Sequence, residues 1–198
     1  DYPGEFFEKR DRATVLLPTA TDALSQKTGL QLKGQLALVN AAVIVVALTF
    51  IMTRTGHPGN FTLALVYFAS ASPFFLAGAT ISLAISETIQ RVDRVYFFDL
   101  LGASGGCLAL IPLLNFFGGP NTVIASAVLF AVSGAIWYNL GGKARGRAVG
   151  VFLALGLVAL MFVNATLHLI DVKWAKGQAV PNEIFVKWNS FSRIALAP

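Results

Sequence analysis

The sequence predicts an all-α integral membrane bundle of about five transmembrane helices, followed by the first β-hairpin of a soluble domain. Three observations carry that prediction. Of 198 residues, 56% are hydrophobic and 13% charged, whereas a soluble domain carries roughly 25% charged residues. Mean hydropathy is +0.68, and the 18 glycines suit membrane helices, where glycine is commoner than in soluble ones. The apolar residues fall into five runs near the length of about 20 residues that a spanning helix needs.

Residues 1–35 read as an interfacial or connecting segment. "EFFEKRDR" mixes Phe6 and Phe7 with Lys9, Arg10 and Arg12, which suits a helix lying at headgroup level. The stretch 13–34 is polar and broken by Pro18. It is expected to be a surface connector, with an interfacial helix or a re-entrant piece as alternatives.

The transmembrane domain is expected over residues 36–170. Leu36–Met52 is its first span, which Leu30 and Leu32 can extend if Lys33 snorkels. Phe61–Ser86 is long enough to cross with tilt, and Pro73 is expected to kink it. Tyr96–Phe117 follows, then a tight "GGPN" turn at Gly118–Asn121, then Thr122–Leu140, and finally Ala148–Ile170.

Residues 171–198 change character. "EIFVKW" and "FSRIAL" flank Asn189–Ser190 as the strands of a hairpin would, with further turn residues at Gly177 and Pro181–Asn182. An isolated hairpin is marginal in water, so this one is expected to open a soluble domain continuing beyond Pro198. The start at Asp1, without a methionine or secretory signal, adds to the expectation that the chain is a piece of a longer protein.

The net charge of +5 is not a nucleic-acid signature, because the basic residues sit in short runs between apolar segments rather than on one helix or platform. Lys27 and Lys33, then Arg91 and Arg94, then Lys143, Arg145 and Arg147 fall on one side of a five-span chain. The excess of Lys and Arg on that side makes it cytoplasmic and puts the tail, which itself carries Lys173, Lys176 and Lys187, outside.

Few residues in the spans are candidates for chemistry. Asp99 is the one acidic residue inside an apolar run. It is read as a helix-start carboxylate favoured by the helix dipole and within reach of Arg91 or Arg94. Asn164 and His168 form an i, i+4 polar pair near the end of the last span, and Asn40 and Asn115 read as interhelical hydrogen-bonding groups. Gly102 and Gly106, extended by Ala103 and Cys107, make a small-residue helix-packing face, and Gly134 and Gly142 with Ser126 and Ser133 make a comparable one. Cys107 is otherwise a quiet core residue, since one cysteine forms neither a disulfide within the chain nor a thiolate metal site. The spacing in "GASGG" differs from the G-x-G-x-x-G of a dinucleotide fingerprint and sits in a span rather than after a strand. No catalytic, cofactor-binding or metal-ligating set is assembled within these residues.

Two stretches together resemble a known family. "SPFFLAGATISLAI" followed by "RVYFFDLLGASGGCLALIPLLNFFGGPNTVIASAVLFA" looks like the membrane half of bacterial spermidine synthase-like proteins, and "FVKWNSFSRIAL" resembles the segment with which their soluble domain begins. The entry motif is Trp188, Asn189, Ser190, Phe191, Ser192 and Arg193. The resemblance covers about Ser72–Phe130 and Glu183–Leu196, with the two motifs in the family's order. It implies a multi-pass protein of the bacterial inner membrane. It also implies a methyltransferase-like soluble domain, outside this chain, that binds an adenosyl-type cofactor and whose relatives transfer an aminopropyl group to a diamine. At one comparable position, Phe191 matches the family's aromatic residue but Ser192 stands where soluble spermidine synthases carry Gln. The partners expected are the lipid bilayer and either subunits of a membrane complex or a second copy, meeting through the small-residue faces. The competing expectation is a non-catalytic accessory subunit of such a complex.

Overall fold

The computed structural model describes residues 20–54, 59–87, 91–175, 178–179, 183–189 and 192–196. Among them, helix α1 is Ala20–Arg54, α2 Asn60–Glu87, α3 Val92–Leu140 and α4 Ala144–Leu167. Strands follow: β1 (Trp174–Ala175), β2 (Gln178–Ala179), β3 (Phe185–Trp188) and β4 (Arg193–Leu196). All four helices are long and apolar enough to cross a membrane. The count differs from five because the expected spans Tyr96–Phe117 and Thr122–Leu140 belong to one 49-residue element, α3. "EFFEKRDR" and Pro18 lie outside the described residues.

The first correction concerns residues 20–35, which are not a connector but the opening turns of the 35-residue α1. Gly29 and Gly34 look like helix breakers in sequence, yet both mark close approaches to α1. A Cβ on Gly34 would stand 2.9 Å from the Tyr138 ring, and one on Gly29 would run into the Glu87 carboxylate. Lys33 does not snorkel either. Its side chain is 4% exposed, its Nζ donates to Glu87 Oε2 at 2.5 Å, and it lies 4.8 Å from the Trp137 ring centroid. Burial beneath α2 and the indole leaves the ammonium no route to water, so the carboxylate takes the place of solvent.

That pair makes an unequal test. Glu87→Gln should lower the unfolding temperature of the detergent-solubilised chain more than Lys33→Met combined with Glu87→Gln does. Removing one partner strands a buried charge, whereas removing both leaves an apolar contact under Trp137. Equal losses would mean that the ammonium is hydrated.

Helix α3 is interrupted at Gly118, whose φ of 76° and ψ of 172° are not helical. Pro120 follows, and its ring and missing N–H disrupt hydrogen bonding back to the turn before it. The two ends of α3 lie at the same end of α1. Val92 follows closely after Glu87, which touches Lys33, while Gly141, just past the other end, packs on Leu30 and Gln31. A straight helix of this length would separate them by about 74 Å. The halves on either side of Gly118 therefore run in opposite directions.

The buried core joins α1, the second half of α3 and α4 through Ala41, Ile44, Leu48, Ile124, Ala127, Ala131, Ala154 and Leu157. Alanine dominates because lipid tails are as apolar as leucine, so helix association relies on close van der Waals contact. The α3–α4 turn closes as a Schellman motif, with Gly142 N donating to Asn139 O and Lys143 N to Tyr138 O. Gly142 takes the left-handed conformation this requires, at φ 71°. It is thus a capping residue and not part of a packing face. Gly134 does pack, with Leu38 and the Gly34 carbonyl against it.

The hairpin is as expected. β3 and β4 pair antiparallel, with Phe185 opposite Leu196 and Trp188 opposite Arg193. A second, two-residue ladder joins β1 to β2 antiparallel.

Candidate functional site

The described residues with the most polar convergence lie where the Gly118 break, the end of α4 and the hairpin meet. Gly118 supplies the positive φ that the reversal needs at little cost. Gly119 supplies room: a Cβ there would sit 2.6 Å from the Trp188 ring, and one on Gly118 would sit 3.2 Å from the same indole. The hairpin thus seats its tryptophan on the bare backbone of two glycines. On the hairpin itself, the Arg193 guanidinium lies 5.9 Å from the Trp188 ring centroid. Both of its terminal nitrogens donate to Glu183, Nη1 to Oε1 at 2.7 Å and Nη2 to Oε2. That carboxylate holds the Arg193 pKa above its ordinary value, the hydrogen bond outweighing the opposing effect of burial. The tip is tied by the Asn189 side chain, whose Oδ1 accepts from Ser192 N at 2.6 Å.

Beneath the hairpin, two asparagines fasten α3 to α4. Asn164 Nδ2 donates to Asn121 Oδ1 at 2.8 Å and to the Ile170 carbonyl at 3.1 Å, while its Oδ1 accepts from Ile170 N at 2.7 Å. Both asparagines are buried, and Asn164 uses its amide fully enough to offset the loss of water. α4 ends at His168, a left-handed cap with φ 49° whose N–H donates to Asn164 O. The turn and the asparagine together fold the chain back over its own helix.

These groups enclose a cavity of about 310 Å³, whose polar lining is Asn115, Asn121, Asn164, His168, Asp171 and Lys187, with Trp188 closing one side. His168 Nδ1 lies 3.2 Å from Asp171 Oδ2, and the imidazole is largely exposed. No hydroxyl or thiol lines the cavity, and no group of three or more His, Cys, Asp or Glu suited to a metal occurs among the described residues. What the arrangement offers is hydrogen bonding and a mating surface between the apolar helices and the strand pair.

The sequence-predicted residues divide accordingly. Asn164, His168, Asn115 and Trp188 come together here. Asn164 and His168 turn to different partners, because the left-handed backbone at His168 takes it off the helical face they were expected to share. Asn189, Ser192 and Arg193 build the hairpin behind Trp188, and Ser190 and Phe191 lie outside the described residues.

Asp99 is elsewhere, exposed about two turns into α3, and no ion pair to it forms among the described residues. Arg94 and Arg91 precede it by five and eight residues, and neither is the three or four that brings side chains together on a helix. Gly102, Ala103, Gly106 and Cys107 are likewise exposed; a Cβ on Gly102 or Gly106 would meet nothing within 4 Å. Among the described residues they pack on no helix, and Cys107 is exposed. Asn40 is fully buried, but among the described residues neither polar atom of its side chain has a partner, so no interhelical hydrogen bond forms there. Sequence reading missed the Lys33–Glu87 pair, whose separation of 54 residues leaves no local signal.

No family model, curated protein or solved structure matches the chain.

Proposed function

We propose that this chain is the membrane domain of a spermidine synthase-like protein of the bacterial inner membrane, anchoring a soluble domain that opens with the β3–β4 hairpin. The observation that supports this reading is the seating of Trp188 on Gly118 and Gly119. The two stretches that resemble the family, more than 60 residues apart on "GASGGC…GGPN" and "FVKWNSFSRIAL", touch each other there. An anchor needs such a contact, since an unfastened hairpin would leave the soluble domain on a free tether.

On this reading the chain crosses the membrane five times. The halves of α3 contain 26 and 22 residues either side of Gly118, about 39 and 33 Å long, and each matches the ~30 Å hydrocarbon core. Lys27, Arg91, Arg94, Lys143, Arg145 and Arg147 then share the cytoplasmic side, and the hairpin lies outside. A reporter fused after Pro198 tests this: activity confined to the cytoplasm would overturn the orientation and place the soluble domain in the pool of adenosyl cofactors.

Two experiments test the anchor and its cargo. Trp188→Ala and Gly119→Val should each speed trypsin cleavage after Lys187 by about tenfold or more, the scale of losing a tryptophan anchor. Unchanged cleavage would mean that the hairpin is not held by the helices. In the longer protein, failure to bind an adenosyl nucleoside and to turn over a diamine would remove the transferase reading and leave the anchor. A non-catalytic accessory subunit is then the second reading. The uncovered first half of α3, with open space at Gly102, Gly105 and Gly106, favours it, and co-purification with a stable complex would support it.

A further inference from the structure

The outer seam between α3 and α4 forms a groove of about 560 Å³. Its floor is made of small residues, because Gly150 lets α4 approach within contact of Ala135 and Ala154 continues the same line. Its walls are branched and exposed: Val132 and Ile136 on one side, Val151 and Leu155 on the other. The seven helical steps of α3 from Val132 to Asn139 give it a length of about 10 Å along the helix. A slot of this shape on a membrane-facing surface fits a saturated hydrocarbon chain.

One end of the slot is charged. Asn139 and Arg147 line the groove and also line a smaller cavity of about 150 Å³ completed by Gly142, Lys143 and Ala144. The two spaces therefore adjoin at these two side chains. Asn139 Oδ1 accepts from one guanidinium nitrogen of Arg147 at 3.0 Å, which fixes that side chain over the cup while leaving it most of its five N–H donors. Lys143 flanks it, and among the described residues neither Lys143 nor Arg147 is ion-paired. Lys143 supplies no capping side chain to α4, so the first amides of that helix add their positive end to the same cup.

An apolar slot that ends in a basic cup at the membrane surface is complementary to one kind of molecule. We propose that this seam binds an anionic phospholipid, with one acyl chain between α3 and α4 and its phosphate at Arg147 and Lys143. The argument depends only on the helices lying in a bilayer, and holds whichever side the cup faces. A zwitterionic lipid has the same chains but carries its own cation beside the phosphate, so it gains less from two basic side chains. Each basic residue near an anionic lipid surface adds roughly a fivefold preference.

Native mass spectrometry of the purified chain, exchanged into mixed micelles containing equal phosphatidylglycerol and phosphatidylcholine, tests the proposal. The expected result is one retained phosphatidylglycerol per chain, at least about fivefold favoured over phosphatidylcholine. Arg147→Gln should remove most of that preference without lowering phosphatidylcholine retention. Val151→Trp, a bulky residue on an exposed wall, should reduce retention of both lipids. Both substitutions are at exposed positions, and a monodisperse elution profile checks that the fold survives. Equal retention of the two lipids by the unaltered chain would overturn the proposal. So would a Val151→Trp chain that holds phosphatidylglycerol unchanged, or displacement of the lipid by inorganic phosphate alone, since either result would make the slot irrelevant.

Discussion

Gly150→Leu is expected to separate α3 from α4 and to destabilise the chain by about 2–3 kcal/mol or more. A Cβ at this position would lie 2.8 Å from Ala135 Cβ and 2.9 Å from both Ala135 Cα and its amide nitrogen. Two of those three atoms are backbone, so no rotamer change can clear the space, and the helices must move apart. Their separation would also expose Ala131, Ala154 and Leu157, which are buried in the core. Gly156→Leu is the matched control, six residues along the same helix, where a Cβ meets nothing within 4 Å. There the substitution should be neutral or favourable by up to about 1 kcal/mol, because glycine is a poor helix former. Thermal unfolding of both variants in one detergent checks the difference. Equal stability would show that the seam adjusts freely, contrary to the close packing drawn here.

Asn164→Leu should cost about 2–4 kcal/mol, the scale of stranding buried hydrogen-bonding groups. It removes the bonds to Asn121 Oδ1, Ile170 N and the Ile170 carbonyl together. Asn121→Ala should cost clearly less, since Asn164 keeps both bonds to Ile170. The double variant should be less destabilised than the sum of the singles, because the Asn121–Asn164 bond is then counted once. The return of the chain over α4 also depends on Asn164, so Asn164→Leu should loosen the hairpin and speed cleavage after Lys187. If the thermal loss occurs with no change in cleavage, the asparagine fastens the helices alone and the hairpin is held by Trp188.

Much of the membrane architecture was legible. The apolar runs found α2, α4 and both halves of α3 to within a few residues, and the turn residues Asn189–Ser190 found the hairpin. The helical turns from Ala20 to Lys33 were only partly legible: Leu30 and Leu32 allowed the span to extend, but the polar stretch after Pro18 read as a connector. The real neighbours of Gly29, Gly34 and Lys33 are Glu87, Tyr138 and Trp137, far away in sequence, and only those neighbours turn a breaker into a contact. The small-residue face at Gly102 and Gly106 was misplaced for a related reason. The pattern identifies a surface that can pack closely without saying what it packs on, and within this chain the close approaches occur at Gly34, Gly134 and Gly150. At the candidate site, Asn164, His168 and Trp188 stood out individually, but Gly118 and Gly119 were read as a turn and not as the seat of an indole.

What the sequence by itself determined is that the chain is a set of apolar helices with a strand pair at its end. A bilayer leaves each backbone segment no solvent to bond with, so any sufficiently long apolar run must close its own hydrogen bonds as a helix. That is a local requirement, and composition alone expresses it. Which helices meet, where α3 reverses, and how Trp188 finds Gly119 were decided only in the tertiary structure. Apolar helices in lipid are sorted by shape complementarity and a few polar contacts instead of by hydrophobicity, and shape belongs to pairs of surfaces that no single stretch of sequence contains.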